Sequence, residues 1–315
     1  MDLDALAAFR MRLLSRHRAY HPSPEALAFH RGQLDKAQEK GEVLALPGRA
    51  LLAHWFDPAP RTTLPTRFLI VHRVPDDGSA LRWCRERLDV LLPAFGDQVE
   101  CHAPAWEIEL MRHAETHGVR RVNLQLVGRV STGLRRLVEL RDPPRRVEGL
   151  ELRELVPDDV DAVIALRRAA FEAEPRYCHF GALAAVLEDQ RAALLAADRP
   201  SDRLVVCRGG EVLGYMGAEY RQSPHRQGRG GGLDLVLGPE LRGRGLLKTG
   251  YRLLLERMVD RGITWFEGAT GQRPVMHLSR LMWRRPIGQV LRRQAWFPAG
   301  WFDDVQSTWD DPLGD

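Results

Sequence analysis

The segment Leu233-Asp-Leu-Val-Leu-Gly-Pro-Glu-Leu-Arg-Gly-Arg-Gly-Leu-Leu-Lys248 runs from a strand pattern through a turn into a helix pattern, and the helix opens on cations. Exposed N–H groups at a helix N-terminus already carry partial positive charge, so acidic residues are favoured there. Arg242, Arg244 and Lys248 oppose that preference. A bound anion facing the N–H groups resolves the conflict, and Gly243 and Gly245 would let the backbone approach it closely. The anion is not held by a nucleoside-triphosphate loop, which needs Gly-Lys-Ser/Thr in sequence; here Leu247 precedes Lys248-Thr249. A dinucleotide fingerprint G-x-G-x-x-G fails as well, because Lys248 stands where the third glycine belongs.

Other chemistry-bearing patterns are weaker. His113-x-x-x-His117 could place two imidazoles on one helix face, but no third ligand is evident and Glu115 is misplaced for the H-E-x-x-H zinc motif. The pair reads as a solvated helix face, and no metal is expected. Gln227-Gly-Arg-Gly-Gly-Gly232 lies between two strand patterns with no helix after it, which predicts a flexible turn. No G-x-S-x-G elbow or triad spacing occurs. Cys84, Cys101, Cys178 and Cys207 are scattered and form no C-x-x-C pair, which excludes a zinc ribbon and argues against a disulfide framework.

The elements that must position these residues follow from periodicity and breakers. Helices are predicted over 2–20 and 24–40, and a hairpin over Val43–Leu46 and Ala50–Phe56, turned at Pro47-Gly48. Strand Arg67–Val74, helix Ser79–Leu92, strand Gln98–His102, helix Glu107–His117 and strand Val122–Val130 follow. The polar, proline-broken stretch Arg141–Arg146 reads as a linker. Beyond it come strand Leu150–Leu155, helices Asp158–Ala173 and Ala182–Ala197, and a hairpin over Arg203–Cys207 and Glu211–Ala218. Strand Leu233–Leu237, helix Arg244–Arg261, strand Thr264–Gly268, helix Pro274–Arg284 and strand Val290–Phe297 complete the chain. The aromatic tail with Trp296, Phe297, Trp301, Phe302 and Trp309 is expected to pack on the body. Leu44–Leu52 parallels Val205–Leu213, and Pro75 parallels Pro239, so the second half repeats the element order of the first.

Length and composition agree. A chain of 315 residues predicts two domains, here 1–145 and 146–315. Hydrophobic residues at 44% and charged residues at 28% fit a globular protein. No apolar run is long enough for a membrane helix, and the acidic start Met1-Asp2-Leu3-Asp4 is unlike a secretory signal. A cytoplasmic location is expected. Lysine occurs only at positions 36, 40 and 248, so nearly all of the 46 basic residues are arginine. The clusters at Arg221, Arg226, Arg229 and positions 280, 284, 285, 292 and 293 raise nucleic-acid binding as a reading. A net charge of +4 and the lack of a stacking motif argue against it.

Arg242-Gly-Arg-Gly-Leu246, with the preceding strand, Pro239 and Glu240 and the long helix after it, resembles the [Arg/Gln]-x-x-Gly-x-[Gly/Ala] motif of the GNAT superfamily of N-acetyltransferases. Leu247 departs from the small final residue. By element order the resemblance covers roughly residues 150–300. It implies an α/β (α+β) fold of tandem GNAT-like domains, each a mixed, mostly antiparallel twisted sheet flanked by helices. It further implies that N–H groups from Arg242, Gly243, Arg244, Gly245, Leu246 and Leu247 bind the pyrophosphate of acetyl-CoA or another acyl-CoA. The pantetheine arm would pair with the strand edge at Leu235, Val236 and Leu237. In the first half the corresponding loop, Val74-Pro75-Asp76-Asp77-Gly78-Ser79, is acidic and would repel a pyrophosphate. That half is expected to be a degenerate domain without coenzyme.

Direct acyl transfer to an amine needs a base for the ammonium proton and an acid for the leaving thiolate. The candidates are Glu219 and Asp234 on central strands of the second half, with Glu267 on the next strand in reserve. The helix 274–284 lacks the tyrosine the family often uses as acid, leaving Ser279, His277 or water to protonate the thiolate. The leading expectation is an acyl-CoA-dependent N-acyltransferase with a small-molecule or peptide amine acceptor, monomeric or homodimeric, with no membrane or nucleic-acid partner. The alternative is a non-catalytic acyl-CoA sensor or scaffold.

Overall fold

A computed structural model describes residues 1–17, 20–58, 65–96, 98–139, 149–173, 180–196, 201–222, 226, 228–270 and 273–293. The linker 141–146, the aromatic tail and Cys178 lie outside the described residues.

The first half opens with helices α1 (Leu3–Leu14) and α2 (Pro24–Lys40) and the hairpin β1 (Gly41–Leu46) and β2 (Ala50–Asp57). Then come β3 (Thr66–Arg73), α3 (Gly78–Ala94), β4 (Val99–Pro104), α4 (Ile108–Glu115), β5 (Arg120–Arg129) and α5 (Val130–Glu139). The second half comprises β6 (Glu151–Glu154), α6 (Val160–Ala173), α7 (Phe180–Leu195), β7 (Ser201–Arg208), β8 (Glu211–Gln222), β9 (Arg229–Leu237), α8 (Leu246–Asp260), β10 (Trp265–Thr270), α9 (Arg273–Leu281) and β11 (Arg285–Arg293).

Among the described residues eleven strands join one sheet, ordered β1-β2-β3-β4-β11-β5-β10-β9-β8-β7-β6. The centre is an exchange. β11, from the second half, lies between β4 and β5, while β5, from the first half, lies between β11 and β10. About the antiparallel β5–β11 pair the order is symmetric: β3 and β4 are parallel on one side, β9 and β10 on the other, and each pair is followed outward by an antiparallel hairpin. β1–β2 and β7–β8 therefore hold equivalent places, as the parallel between Leu44–Leu52 and Val205–Leu213 predicts. The sheet expected within each half is thus a single sheet, shared through its central strands.

Helices cover both faces. α3, α4, α5 and α8 pack on one face, where Leu88, Leu110, Leu254 and Phe266 are fully buried. α1 and α2, and α6 and α7, cover the other. Central strands consequently bury successive residues rather than alternate ones: Ala50 and Leu52 face α3, whereas Leu51 and Ala53 face α1 and α2. α8 buries Leu246, Gly250, Tyr251, Leu254, Leu255 and Met258, an i, i+3, i+4 stripe. It lies so close to β8 that a Cβ on Gly250 would stand 2.1 Å from Met216 Sδ.

One expectation is corrected, one helix is added, and the basic clusters are placed. Arg229–Gly232 is strand rather than flexible turn: β8 pairs with it throughout and β10 over part of it. The absent side chains let α8 approach, since a Cβ on Gly231 would fall 2.4 Å from Met258 Cε. Residues 130–139 form a helix that the sequence reading passes over. Its Val130, Gly133 and Leu137 are buried against the core that α8 also covers. Arg226, Arg284 and Arg292 of the basic clusters are buried, so these side chains cannot form part of a solvent-facing stripe for nucleic acid.

Candidate functional site

β9 and β10 pair through only three rungs, Gly230–Gly232 with Trp265–Glu267. Beyond them β9 stays with β8, and residues 268–270 of β10 stay with β5. The parallel strands therefore diverge, and Leu233–Leu237 have no ladder on the side facing β10. Of the predicted arm-binding residues, Leu235, Val236 and Leu237 all lie on this released edge and are half-buried. An extended chain with amide groups could pair with it as a strand would.

At the mouth of the cleft the loop 238–245 leads into α8. Gly243 and Gly245 have φ of +72° and +76°, a left-handed conformation that favours glycine. Gly245 is the N-cap of α8, and among the described residues no side chain caps that helix start. Arg242 and Arg244 are exposed beside it, Leu246 is buried and Leu247 half-buried. The first N–H groups of a fifteen-residue helix, two cations and a left-handed turn converge where an anion can be held. The sequence places the helix start at Arg244; it lies at Leu246, so both arginines belong to the loop rather than to the first turn.

Glu219, Gly232 and Glu267 occupy one row across β8, β9 and β10, since Gly232 pairs with Glu219 on one side and with Glu267 on the other. Residues opposed in a ladder share a face, so the two glutamates rise from the α6 face on either side of a glycine. A Cβ built on Gly232 meets nothing within 4 Å. The row is also the last rung before the strands part. Two carboxylates thus flank an open floor at the apex of the cleft, separated by about two strand spacings, roughly 10 Å. Glu219 is exposed; Glu267 is half-buried, with one oxygen 3.8 Å from Arg226 Nε.

Asp234 lies on the same face, diagonal to Glu219. Its carboxylate is ion-paired with Arg167 of α6. Arg167 also stacks over the Tyr215 ring at 5.0 Å. Tyr215 is buried, and burial, with the Asp234 charge adding to it, pushes its hydroxyl up to about 12. That hydroxyl lies over Gly217, where a Cβ would come 2.2 Å from it. It is a protonated donor close to the carboxylates. Ser279, expected as a possible acid, is fully buried; its Oγ donates to the Val275 carbonyl at 2.7 Å and accepts from Arg284. Its hydroxyl is engaged in structure. His277 is exposed.

The sequence singles out the three carboxylates. It misses Gly232, Arg167 and Tyr215, whose significance arises from register and packing. Only the G-x-G-G-G run hints at Gly232.

Residues 162–281 match the acetyltransferase (GNAT) family. A search of curated proteins returns no match. Among solved structures, a GCN5-related N-acetyltransferase from Sphaerobacter thermophilus is similar at 17% identity, over 92% of each chain, with a TM-score of 0.50. A tandem GNAT protein from the clavulanic acid biosynthesis pathway matches at 14% identity over 94% of this chain and 96% of its own, with a TM-score of 0.44. A GCN5-related N-acetyltransferase from Kribbella flavida matches at 14% identity over 96% and 98%, with a TM-score of 0.42.

Proposed function

We propose that the C-terminal half, whose residues 162–281 match the acetyltransferase (GNAT) family, transfers an acyl group, acetyl in the simplest case, from an acyl-CoA directly to an amine. The observation that carries this reading is the uncapped, glycine-turned start of α8 at the mouth of the β9–β10 divergence. Pyrophosphate would meet the N–H groups around Arg242–Leu247, and the amide-bearing arm would run along Leu235–Leu237. The thioester would then come to rest near Gly232, between Glu219 and Glu267. On this reading residues 1–145 form a companion domain without coenzyme, and 146–315 the coenzyme domain.

An ammonium ion has no lone pair, so it must lose a proton before or while nitrogen attacks the thioester carbon. Glu219 or Glu267 accepts that proton, directly or through one water. The oxyanion that forms meets a backbone N–H of the released β9 edge. Carbon–sulfur cleavage then restores the carbonyl, and the thiolate takes up a proton, for which the protonated Tyr215 hydroxyl on this face is the donor assigned. Asp234, paired with Arg167, holds α6 against β9 and is the weakest of the three candidates for base.

Release of coenzyme A thiol, measured against a panel of amines, tests the proposal. With a responding acceptor, loss of the true base through Glu219→Gln or Glu267→Gln should lower turnover near neutral pH by about 10²–10⁴-fold, with coenzyme binding kept. Asp234→Asn should cost less. If neither glutamine variant changes turnover or its pH profile, the assigned base is wrong. One coenzyme site per chain with no thiol release across the panel would favour the sensor reading, consistent with an α9 that carries no tyrosine.

A further inference from the structure

His113 lies on α4 and His117 in the turn that continues it, where the His117 N–H still donates to the Ala114 carbonyl at 3.0 Å. Their spacing keeps both imidazoles on one face. What the sequence could not show is the partner helix. Asp89 of α3 points at the pair, and its Oδ1 lies 2.8 Å from Nε2 of His113 and 2.8 Å from Nε2 of His117. Among the described residues these three form a group whose potential metal-ligand atoms all lie within 4.8 Å of one another.

We propose that Asp89, His113 and His117 bind a divalent zinc ion that clamps α3 to α4 in the N-terminal half. Two imidazole nitrogens and a carboxylate oxygen are a borderline donor set suited to zinc. Magnesium and calcium instead demand mostly oxygen ligands. Zinc bonds to nitrogen and oxygen are about 2.0–2.2 Å long, so tetrahedral ligands stand roughly 3.3 Å apart. The two carboxylate-to-imidazole spacings of 2.8 Å need open by only about half an ångström to admit the ion, and the two imidazole ligand atoms lie within 4.8 Å of each other. Asp89 is half exposed and can swing by that amount; the histidines keep 24% and 20% of their side-chain surface. A solvent water would complete the fourth position.

The two helices are already fixed at this point by an independent contact. Arg293 of β11 donates to the His117 carbonyl at 2.8 Å and to the Leu92 carbonyl, near the end of α3, at 2.6 Å. It also donates to the Gly96 carbonyl just beyond. The ligand-bearing ends of α3 and α4 are therefore tied before any ion arrives, which lowers the ordering cost of binding. The site lies in the half without the basic loop, so its occupancy and the proposed coenzyme site can be measured separately.

Untagged full-length protein, stripped with chelator and dialysed, would be titrated with zinc chloride by calorimetry and with cobalt chloride by visible absorption. One equivalent of zinc per chain and the intense d–d bands of four-coordinate cobalt are expected. His113→Ala, His117→Ala and Asp89→Asn should each weaken zinc binding by at least about 10–100-fold, the range that even supporting residues of metal sites reach. His21→Ala, an exposed histidine elsewhere, should leave it unchanged. Asp89→Asn keeps a hydrogen-bond acceptor for the imidazoles and removes only the charge, so its far-ultraviolet circular dichroism should match that of the wild type. No zinc uptake, uptake equal in wild type and the three variants, or a six-coordinate cobalt spectrum would each overturn the proposal.

Discussion

The helices that follow β3 and β9, the equivalent strands of the two halves, meet opposite electrostatic solutions at their N-termini. In the N-terminal half four residues, 74–77, join β3 to α3, and Asp77 caps the helix by accepting from the N–H groups of Ser79 and Ala80 at 3.1 and 3.0 Å. Arg49 binds the same carboxylate through two contacts, of 2.7 and 2.6 Å, and holds it well below the usual carboxylate range. In the C-terminal half eight residues, 238–245, join β9 to α8, the cap is a glycine, and the cations stand outside. The first helix carries its own anion; the second leaves room for one.

The clefts below differ in the same sense. β3 and β4 also part after a few rungs, past Ile70 and His102. There the diverging ends are bridged by Arg73 and Glu107, 2.8 Å apart, with Glu107 fully buried. By the Pro75–Pro239 parallel, the residue corresponding to Arg73 is Leu237, half-buried on the released edge of β9. The repeated framework thus produces a divergence twice. In one a buried ion pair bridges the diverging ends; in the other the place of Arg73 is taken by Leu237 on a released strand edge.

Three changes probe that contrast. Gly245→Asp would give α8 a cap like that of α3, and aspartate tolerates the left-handed conformation better than most residues. It places a carboxylate where pyrophosphate is proposed. The loss of charge-assisted hydrogen bonds worth about 1.5–3 kcal/mol each should weaken coenzyme binding by something on the order of 10²–10⁴-fold. Calorimetry should show one acetyl-CoA site per wild-type chain and none at the same concentrations in the variant. Two sites per wild-type chain would contradict the assignment of the acidic loop.

Gly232→Leu asks whether the open floor is the meeting place of amine and thioester. The Cβ of the added side chain meets nothing within 4 Å in the folded chain, and melting temperature and coenzyme affinity should hold. Acceptor kcat/KM should fall roughly 10–100-fold, equivalent to about 1–3 kcal/mol for forcing extra atoms into occupied space. An unchanged kcat/KM would place the acceptor elsewhere.

The smallest effect concerns the filled cleft. Burial pushes the Glu107 carboxyl up to about 7, with Arg73 opposing. The folded chain therefore keeps a proton that the unfolded chain releases near the ordinary value of 4.5. The stability contributed by Glu107 falls as pH rises from about 4.5 to about 7, by at most about 3 kcal/mol. Glu107→Gln cannot titrate. The difference in urea midpoint between wild type and this variant should shift against the wild type across that window; a constant difference would show that Glu107 does not titrate there.

Much of the framework is written in local sequence. The Pro47-Gly48 and Gly209-Gly210 hairpins lie where the sequence places them, and the glycine-cation loop leads into the expected helix two residues later than expected, because these features depend on turn chemistry within a few residues. The loop could be read because a cation at a helix start is a local anomaly with a local cause. Glu219 and Glu267 were legible only as carboxylates on strands.

Tertiary structure decided the rest. That the two glutamates face each other across Gly232 is a matter of register between strands far apart in sequence, which no short-range pattern encodes. The same holds for Asp89 beneath His113 and His117, which needs α3 laid against α4. It holds again for the exchange of β5 and β11, which turns two repeated halves into one sheet. Chain-local energetics fixes which residues form strands and helices, but long-range hydrogen bonding and packing choose which strands become neighbours, and the proposed sites arise between those neighbours.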